Sequence, residues 1–261
     1  MNNLASECAE TQICTICKTG KHCVEIDEND VVCPYIISYK NNACAFFEPL
    51  EAEKKLIVYD IGRIEKTDKP VYDLFKRCFD FFVSLIAIIL CAIPMLIIGI
   101  IIRLDSPGAA VFKQDRLGKE GKHFIMYKFR TMVVDAEKNG PQWAERDDDR
   151  CTRFGRFLRK TRLDELVQLF NILKGDMSFV GPRPERECFY NKFEQYIPGF
   201  SQRLYVIPGL TGVAQINGGY DLEPQEKVIW DLKYIKSRSF LLDLKVIFKT
   251  VCVVFTHNGA R

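Results

Sequence analysis

The chain of 261 residues has room for one large domain or two modest ones, and it is 48% hydrophobic and 27% charged. This composition excludes a disordered tail and a low-complexity fibre, so we expect the chain to fold. A formal net charge of +3 is too small to indicate a dedicated nucleic-acid-binding protein, and no nucleic acid partner is expected.

Six of the 11 cysteines lie in the first 44 residues, which predicts a separate Cys-rich module. The first residues are polar and lack the apolar stretch of a secretory signal, so we expect them to stay in the cytosol. In that reducing compartment, metal ligands and free thiols are both favoured over disulfides. Cys14 and Cys17 form a C-x2-C pair, the best candidate ligands for zinc or an iron–sulfur cluster, with Cys23 and Cys33 as further candidates.

A charged stretch from Asp60 to Lys69 is interpreted as a linker, and a long apolar segment follows it. From Phe81 to Ile102 the sequence runs 22 residues without a charge, which is long enough for a membrane-crossing helix. Pro94 should bend this helix because proline removes a backbone hydrogen bond. Basic residues are equally frequent on both flanks, so they indicate no orientation. A straight span, a re-entrant helix that returns to the same face and a buried core helix all remain open.

Beyond this segment the sequence predicts short strands and interfacial helices. Two strands joined by a glycine-containing turn are predicted in AAVFKQDRLG and FIMYKFRTM. Residues 153–162 combine basic and apolar positions and predict an amphipathic helix suited to an anionic membrane surface. A further helix is predicted over LDELVQLFNILKGD, with Gly175 as its stop signal. The last apolar segment, FLLDLKVIFKTVCVVF, contains three charged residues and therefore indicates an interfacial or docking helix.

Candidate chemistry is expected from carboxylates, because the sequence lacks the GxGxxG, P-loop, HExxH and GxSxG motifs. Asp164 and Glu165 are predicted to begin a helix directly after a basic cluster. A helix N-terminus favours an ionised carboxylate and a bound phosphate, and an ionised Asp can attack phosphorus to give an acyl phosphate. The alternative is that both acids are ordinary residues of a first helical turn.

Three further clusters suit phosphate binding, and each is also compatible with an ordinary surface. Asp176 and Arg183 flank or occupy a rigid Gly-Pro-Arg-Pro turn, which would hold the arginine in place for a phosphate. Lys128 and Arg130 are predicted on one face of a strand, which suits a diphosphate. The glycine-rich segment PGLTGVAQING contains Gln215 and allows a ligand to approach the backbone closely.

Taken in order, YKFRTM, GRFLRKTRLDELVQLFNILKGDMSFVGPRP, PGLTGVAQING and SFLLDLKVIF resemble the bacterial sugar transferases, the small monotopic polyprenyl-phosphate glycosyl-1-phosphate transferases. The resemblance covers about residues 71–255. It implies an enzyme that transfers a sugar-1-phosphate from a nucleoside diphosphate sugar, usually a UDP-sugar, to a polyprenyl phosphate such as undecaprenyl phosphate. The implied products are a polyprenyl diphosphate sugar and UMP, as the first membrane step of polysaccharide or glycoconjugate assembly in capsule or exopolysaccharide biosynthesis.

The resemblance also implies roles for individual residues. Asp164 would be the nucleophile of a two-step reaction with a covalent phosphosugar intermediate. Glu165 would help to hold Mg2+ together with Asp164, or handle protons. The membrane helix, about residues 72–103, would be re-entrant and broken at Pro94. Substrate-binding positions are implied at Lys128, Arg130, Arg159, Asp176, Arg183 and Gln215.

The predicted fold class is α+β. We expect a mostly helical, membrane-associated catalytic domain over residues 71–261, with short strands and interfacial amphipathic helices, after a Cys-rich module and linker over residues 1–70. The resemblance places it in contact with lipid at the cytosolic face of a bacterial inner membrane, and a homodimer is compatible. One alternative is a catalytically inactive, membrane-anchored binding or regulatory protein that uses the Cys-rich module. Another is transfer of the sugar without its phosphate, which would release UDP.

Overall fold

In a computed structural model of the protein, the structure describes residues 59, 61–136, 138, 148–219 and 222–256, with side chains to residue 252, and the backbone of four short strands nearer the N-terminus. The chain divides into two units, Met1–Val58 and Tyr59–Arg261. The second unit is mostly helical with a few short strands, which confirms that part of the predicted fold class.

The described part of the first unit consists of two antiparallel hairpins. Strand β1 (Val24–Asp27) pairs with β2 (Asp30–Val32), and β3 (Tyr39–Lys40) pairs with β4 (Ala43–Cys44). The candidate metal ligands lie outside the described residues, and a zinc or iron–sulfur site there stays a prediction: Cys14, Cys17, Cys23 and Cys33.

The second unit contains α1 (Pro70–Asp105), a helix of 36 residues. Among the residues described, it is the one helix long and apolar enough to cross a membrane. Its first residue is a proline, which suits the first turn because the N–H there would have no helical partner. The helix continues through Pro94, so the predicted break does not appear as a gap in helical structure. Loss of one hydrogen bond at proline does not have to end a long apolar helix.

Both halves of α1 pack against the same unit. Arg77 donates hydrogen bonds to the carbonyls of Ile172 and Leu173, both at 2.7 Å. Near the other end of the helix, Ile98 and Ile102 are buried in a core cluster with Phe129, Leu158 and Val167. The opposite face of α1 consists of apolar side chains that are more than half exposed: Ile86, Ile89, Leu90, Ile93, Leu96, Ile97, Ile100 and Leu104.

A β-hairpin and a basic helix follow α1, as predicted. Strands β5 (Val111–Leu117) and β6 (His123–Phe129) are antiparallel. Helix α2 (Arg153–Thr161) begins after Thr152, whose Oγ1 accepts a hydrogen bond from the amide of Gly155 at 2.9 Å. A Cβ on Gly155 would lie 2.0 Å from the carbonyl oxygen of Thr131. Glycine therefore lets α2 approach the segment after β6 closely.

The remaining elements surround a parallel strand pair formed by β7 and β8. The remaining helices and strands have the following bounds: α3 (Leu169–Lys174), β7 (Ser178–Val180), α4 (Glu187–Glu194), β8 (Gly209–Thr211), α5 (Val213–Ile216), α6 (Pro224–Ser237) and α7 (Phe240–Thr256). Gly175 ends α3 in the left-handed conformation (φ 95°), which confirms the predicted stop signal. The predicted helix over FLLDLKVIFKTVCVVF is α7.

Part of the predicted linker packs in the core of the second unit. Ile64 is 7% exposed and contacts the cluster that contains Ile197, Phe200 and Leu232. Its amide donates a hydrogen bond to Oε1 of Gln202 at 2.5 Å. The charged composition did not indicate this packing, in which Ile64 is buried and Ile61 is partly buried against the same cluster.

Candidate active site

Asp164 and Glu165 lie in a 3-10 helix, Leu163–Gln168, that joins α2 to α3. Arg162 adopts a left-handed backbone conformation (φ 58°) and ends α2, so the chain changes direction just before the two acids. The single helix predicted for this segment is therefore a 3-10 turn followed by α3. The turn packs against β6, which brings Lys128 to the acids.

The Glu165 carboxylate is neutralised by two cations. Lys128 Nζ donates to Oε1 at 3.2 Å, and the Arg183 guanidinium contacts both carboxylate oxygens. Burial acts to raise the pKa of Glu165, but the charges of Arg183 and Lys128 outweigh it, so the pKa lies below its usual value. Glu165 therefore stays ionised and fixes the positions of both cations.

Asp164 is similarly enclosed, at 8% exposure, but its surroundings differ. Within the part of the chain that the structure describes, no group donates a hydrogen bond to its carboxylate. Burial raises the pKa of Asp164 to about 6, and the negative charge of Glu165 acts in the same direction, whereas the charge of Lys128 opposes it. At neutral pH this carboxylate is largely ionised, and its oxygens are not engaged by a hydrogen-bond donor among the described residues, as a nucleophile requires.

Arg159 completes a group of three cations around the acids. Its charge, like those of Lys128 and Arg183, acts to lower the pKa of Asp164. Its Nη1 lies 2.8 Å from Sγ of the buried Cys151, which restrains the guanidinium on the last turn of α2. The structure thus brings together five residues that the sequence analysis selected: Lys128, Arg159, Asp164, Glu165 and Arg183.

Arg130 does not join this group. Its guanidinium donates to the carbonyls of Ser106 at 2.6 Å and Pro107 at 2.7 Å, just after the C-terminal end of α1. The prediction that Lys128 and Arg130 form one phosphate-binding pair is not supported, because β6 ends at Phe129 and the alternation of a strand ends with it. These contacts favour a structural role for Arg130, which satisfies backbone oxygens near the helix end.

Asp176 follows α3 in a short loop and Gln215 lies in α5, and the binding roles of both stay predictions. Asp176 Oδ2 is 3.5 Å from Nδ2 of Asn171, a buried side chain that also donates to the Ile125 carbonyl at 2.6 Å. Gln215 donates to the Leu210 carbonyl at 2.9 Å. Its Oε1 is buried and has no hydrogen-bond partner among the described residues.

The turn that carries Arg183 is held against the glycine-rich segment. The amide of Gly181 donates to the Thr211 carbonyl, and the amide of Gly209 donates to the Pro182 carbonyl, both at 2.9 Å. A Cβ on Gly209 would lie 2.1 Å from the amide nitrogen of Gly181. Two sequence motifs that are distant in the chain therefore form one structural unit, and glycine is required for their close approach.

The carboxylate oxygens of Asp164 and Glu165 are the predicted ligands of a magnesium ion, and their contacts test whether both are available for it. Both oxygens of Glu165 are already engaged by Arg183 and Lys128, so the arrangement does not fit a metal held jointly by Glu165 and Asp164. No group of three or more His, Cys, Asp or Glu side chains suited to a metal occurs within the described ranges. Mg2+ is usually held by one or two carboxylates together with substrate phosphates. Asp164 with the diphosphate of a substrate is the donor set that fits.

Sequence reasoning missed several buried polar residues near this site. Gln168, at the end of the 3-10 turn, is fully buried, and neither of its amide atoms has a partner among the described residues. Arg203 and Asp231 form a buried ion pair close to the Arg183 turn. The available signal was weak, because each is a single polar residue in a segment without a local motif.

Comparison with known proteins places these features in a family. A family model described as bacterial sugar transferase matches residues 71–257. The chain is 43% identical over 195 residues to the UDP-N-acetylgalactosamine-undecaprenyl-phosphate N-acetylgalactosaminephosphotransferase of Aeromonas hydrophila, a match that covers 74% of this chain and 46% of that protein. It is 42% identical over 192 residues to the UDP-glucose:undecaprenyl-phosphate glucose-1-phosphate transferase of Klebsiella pneumoniae, which covers 72% and 41%.

A third relative is matched over more of its own length. The UDP-glucose:undecaprenyl-phosphate glucose-1-phosphate transferase of Caulobacter vibrioides is 39% identical over 193 residues, and the match covers 72% of each chain. The Aeromonas and Klebsiella proteins, by contrast, are matched over less than half of their length. The range matched by the family model, residues 71–257, includes both acids, the three cations and all of α1 except its first residue.

Proposed function

The chain belongs to the bacterial sugar transferase family, and from that premise we propose that it transfers a sugar-1-phosphate from a UDP-sugar to undecaprenyl phosphate. The products would be undecaprenyl diphosphate sugar and UMP. The observation that carries the proposal is the enclosed Asp164 carboxylate, which accepts no hydrogen bond from the described residues and lies near three cations. The names of the relatives support the reaction class, since they pair undecaprenyl phosphate with UDP-N-acetylgalactosamine or UDP-glucose.

In the first step, a carboxylate oxygen of Asp164 attacks the phosphorus that bears the sugar. A bond forms between that oxygen and the phosphorus, and the bond from the phosphorus to the bridging oxygen of the diphosphate breaks. UMP leaves with the bridging oxygen and its electron pair. The enzyme then carries an aspartyl phosphosugar, an acyl phosphate.

In the second step, a phosphate oxygen of undecaprenyl phosphate attacks the same phosphorus. The new bond completes the diphosphate, and the bond to Asp164 breaks and restores the carboxylate. No proton has to be removed from the nucleophile in either step, because a carboxylate and a phosphate are both already ionised. This suits a site in which the charges that act on Asp164 are those of Glu165, Lys128, Arg159 and Arg183.

The cations supply the electrostatic part of catalysis. Lys128, Arg159 and Arg183 surround the position where negative charge accumulates on the diphosphate, and such fixed charges stabilise the transition state without reorganisation. Glu165 holds Lys128 and Arg183 in place through its two oxygens. A magnesium ion, if bound with the substrate, would be held by Asp164 and phosphate oxygens and would neutralise further diphosphate charge.

The contacts of α1 support a helix that enters the membrane and returns to the same face. Arg77 and Ile102 both contact this unit, and they are separated by 25 residues, which is roughly 37 Å along a straight helix. The hydrocarbon layer is only about 30 Å thick. A straight span would place these two contacts on opposite sides of the membrane. We therefore propose a monotopic arrangement at the cytosolic face of the inner membrane, where UDP-sugars are available.

The direct test is the identity of the nucleotide that the purified protein releases. The full chain in nanodiscs is incubated with Mg2+, undecaprenyl phosphate and a panel of UDP-sugars, in parallel with the Asp164→Asn variant. We expect UMP from the wild type with one or a few donors, and none from the variant. Release of UDP would show transfer of the sugar alone. No nucleotide from any donor would favour the alternative of an inactive binding protein.

A further inference from the structure

Two arginines, the buried Arg203 and the partly buried Arg116, bind the backbone of the Gly-Pro-Arg-Pro turn. Arg203, in the 3-10 helix Phe200–Tyr205, donates through Nη2 to the carbonyl of Arg183 at 2.9 Å. Arg116, on β5, donates through Nη1 to the carbonyl of Pro184 at 3.0 Å. The turn therefore receives one charge-assisted hydrogen bond on each of two successive carbonyls.

Each of these arginines is itself held by an acid. Arg203 Nε pairs with Oδ2 of Asp231 on α6 at 2.8 Å, and both side chains are almost fully buried. The Arg203 guanidinium also lies 4.8 Å from the centre of the Phe200 ring. Arg116 pairs with Glu185 at 2.8 Å. A buried ion pair stabilises a fold only weakly on balance, because its desolvation cost offsets the attraction. Because its contribution to stability is small, we looked for a role of the Arg203–Asp231 pair other than stabilising the fold.

The geometry points to Arg203 and Asp231 as positioning residues for Arg183. We infer that Asp231 fixes the Arg203 guanidinium, which fixes the Arg183 backbone and so aims the Arg183 side chain at Glu165 and at the diphosphate of the donor. This inference rests on the proposed function for its kinetic consequence. The contacts themselves do not depend on the reaction.

The planar guanidinium is needed because it donates in two directions at once. Nε contacts Asp231 while Nη2 contacts the Arg183 carbonyl. A lysine has one flexible ammonium group and cannot reproduce this fork. Arg203→Lys therefore keeps a positive charge near Asp231 and loses the second contact. Since displacement of a catalytic group by about 1 Å lowers rates by up to about 10²-fold, we expect kcat to fall about 10- to 100-fold.

The experiment compares Arg203→Lys, Asp231→Asn, Arg183→Lys and the double variant Arg203→Lys with Arg183→Lys. For each, kcat, KM and melting temperature are measured, and hydrogen exchange is followed over residues 181–186. We expect faster exchange and a lower kcat in the Arg203 and Asp231 variants. In the double variant the loss should be much smaller than the product of the single losses, because both act through one side chain.

Ile197→Ala is the matched control for stability. Ile197 is fully buried in the same core cluster as Phe200 and lies outside the turn. The Ile197→Ala substitution should lower the melting temperature and leave kcat unchanged at temperatures where the variant is folded. Losses that multiply fully in the double variant, or an Arg203→Lys variant that behaves like Ile197→Ala, would overturn the positioning role. If the wild type releases no UMP, the proposed function fails. Separately, unchanged hydrogen exchange at residues 181–186 in the Arg203 and Asp231 variants would overturn the positioning role of these two residues.

Discussion

The active site and the outer face of α1 depart in opposite ways from the usual separation of apolar interior and polar surface. In the site, the charged side chain of Asp164 is enclosed, at 8% exposure. On α1, Leu90 and Ile93 are more than 70% exposed. Each departure supports a proposed partner outside the chain, a charged substrate in one case and hydrocarbon in the other.

Helix α6 follows the ordinary rule more closely, because Asp231 is the one charged residue among its buried positions. Its buried residues include Val228 and Leu232. On α1 the inward positions instead include Asp80, which accepts a hydrogen bond from the Phe179 amide at 3.1 Å, and Lys76, which pairs with Asp243 on α7 at 2.7 Å. Polar groups on a membrane helix are expected to face the protein, where partners exist. The inverted pattern of α1 is therefore an argument for lipid contact.

The sharpest contrast lies within the site: Asp164 accepts no hydrogen bond from the described residues, whereas both oxygens of Glu165 are bound by cations. We expect Asp164→Asn to lower kcat by at least about 10³-fold, because the amide is a poor nucleophile. Glu165→Gln should lower kcat by about 10- to 100-fold, because Lys128 and Arg183 lose their counter-charge and their fixed positions. Release of UMP from a donor under saturating conditions measures both.

Intact-protein mass spectrometry without acceptor separates the two roles. A mass increase equal to the phosphosugar is expected in the wild type, more slowly in Glu165→Gln, and never in Asp164→Asn. The exposed acid Asp115, which pairs with His123, provides the control Asp115→Asn with normal turnover. An adduct on the Asp164→Asn protein would exclude Asp164 as the nucleophile.

The outer face of α1 is tested by placing charges on it. The double substitution Leu90→Lys with Ile93→Lys should reduce binding to liposomes by at least about tenfold, because a charged group near the centre of the bilayer is costly even when its side chain reaches toward the interface. Flotation of the purified protein with liposomes measures the bound fraction. The matched control is Ile229→Lys on α6, also a mostly exposed isoleucine, which should leave binding unchanged. Equal binding of the double variant and the control would contradict lipid contact by this face.

Part of the fold and of the site could be predicted from short segments of the sequence. The uncharged run predicted α1, and the basic helix, the acid pair and the Gly-Pro-Arg-Pro turn were each found from neighbouring residues. The contacts of Arg130 could not be predicted in this way, because its partners are carbonyls more than 20 residues away, at Ser106 and Pro107. Arg203 and Asp231 are 28 residues apart and share no motif. Only the folded chain brings such partners together.

The pH dependence of the reaction follows from the raised pKa of Asp164. Since the nucleophile must be ionised, kcat/KM should fall by about tenfold per pH unit below pH 6 and level off above it. Glu165, whose pKa is lowered, should not contribute to this limb. Initial rates measured from pH 5 to pH 8 test the assignment. If kcat/KM stays constant down to pH 5, the pKa of Asp164 is not raised by burial as proposed.

The smallest expected effect is a gain in stability on removal of the nucleophile. Asp164 binds its proton more tightly in the folded state, with a pKa of about 6, than at its ordinary value of 3.8. Between these two values the free energy of unfolding therefore decreases as pH rises, and above pH 6 the full cost is present. Asp164→Asn removes that cost and should stabilise the protein at pH 7.5 by roughly 1–3 kcal/mol.

Melting temperatures in identical nanodiscs at pH 7.5 and pH 4.5 provide the measurement. Asp164→Asn should melt several degrees above the wild type at pH 7.5, and most of this difference should vanish at pH 4.5, where the wild-type Asp164 is protonated in the folded state. Glu165→Gln should melt below the wild type at pH 7.5, because it leaves two enclosed cations without their acid. If Asp164→Asn stabilises the protein and Glu165→Gln destabilises it, then Glu165 contributes to folding stability, whereas Asp164 is kept for its interaction with the substrate. If both variants lowered the melting temperature equally, the two carboxylates would share one structural role, and the difference in their surroundings would have no energetic consequence.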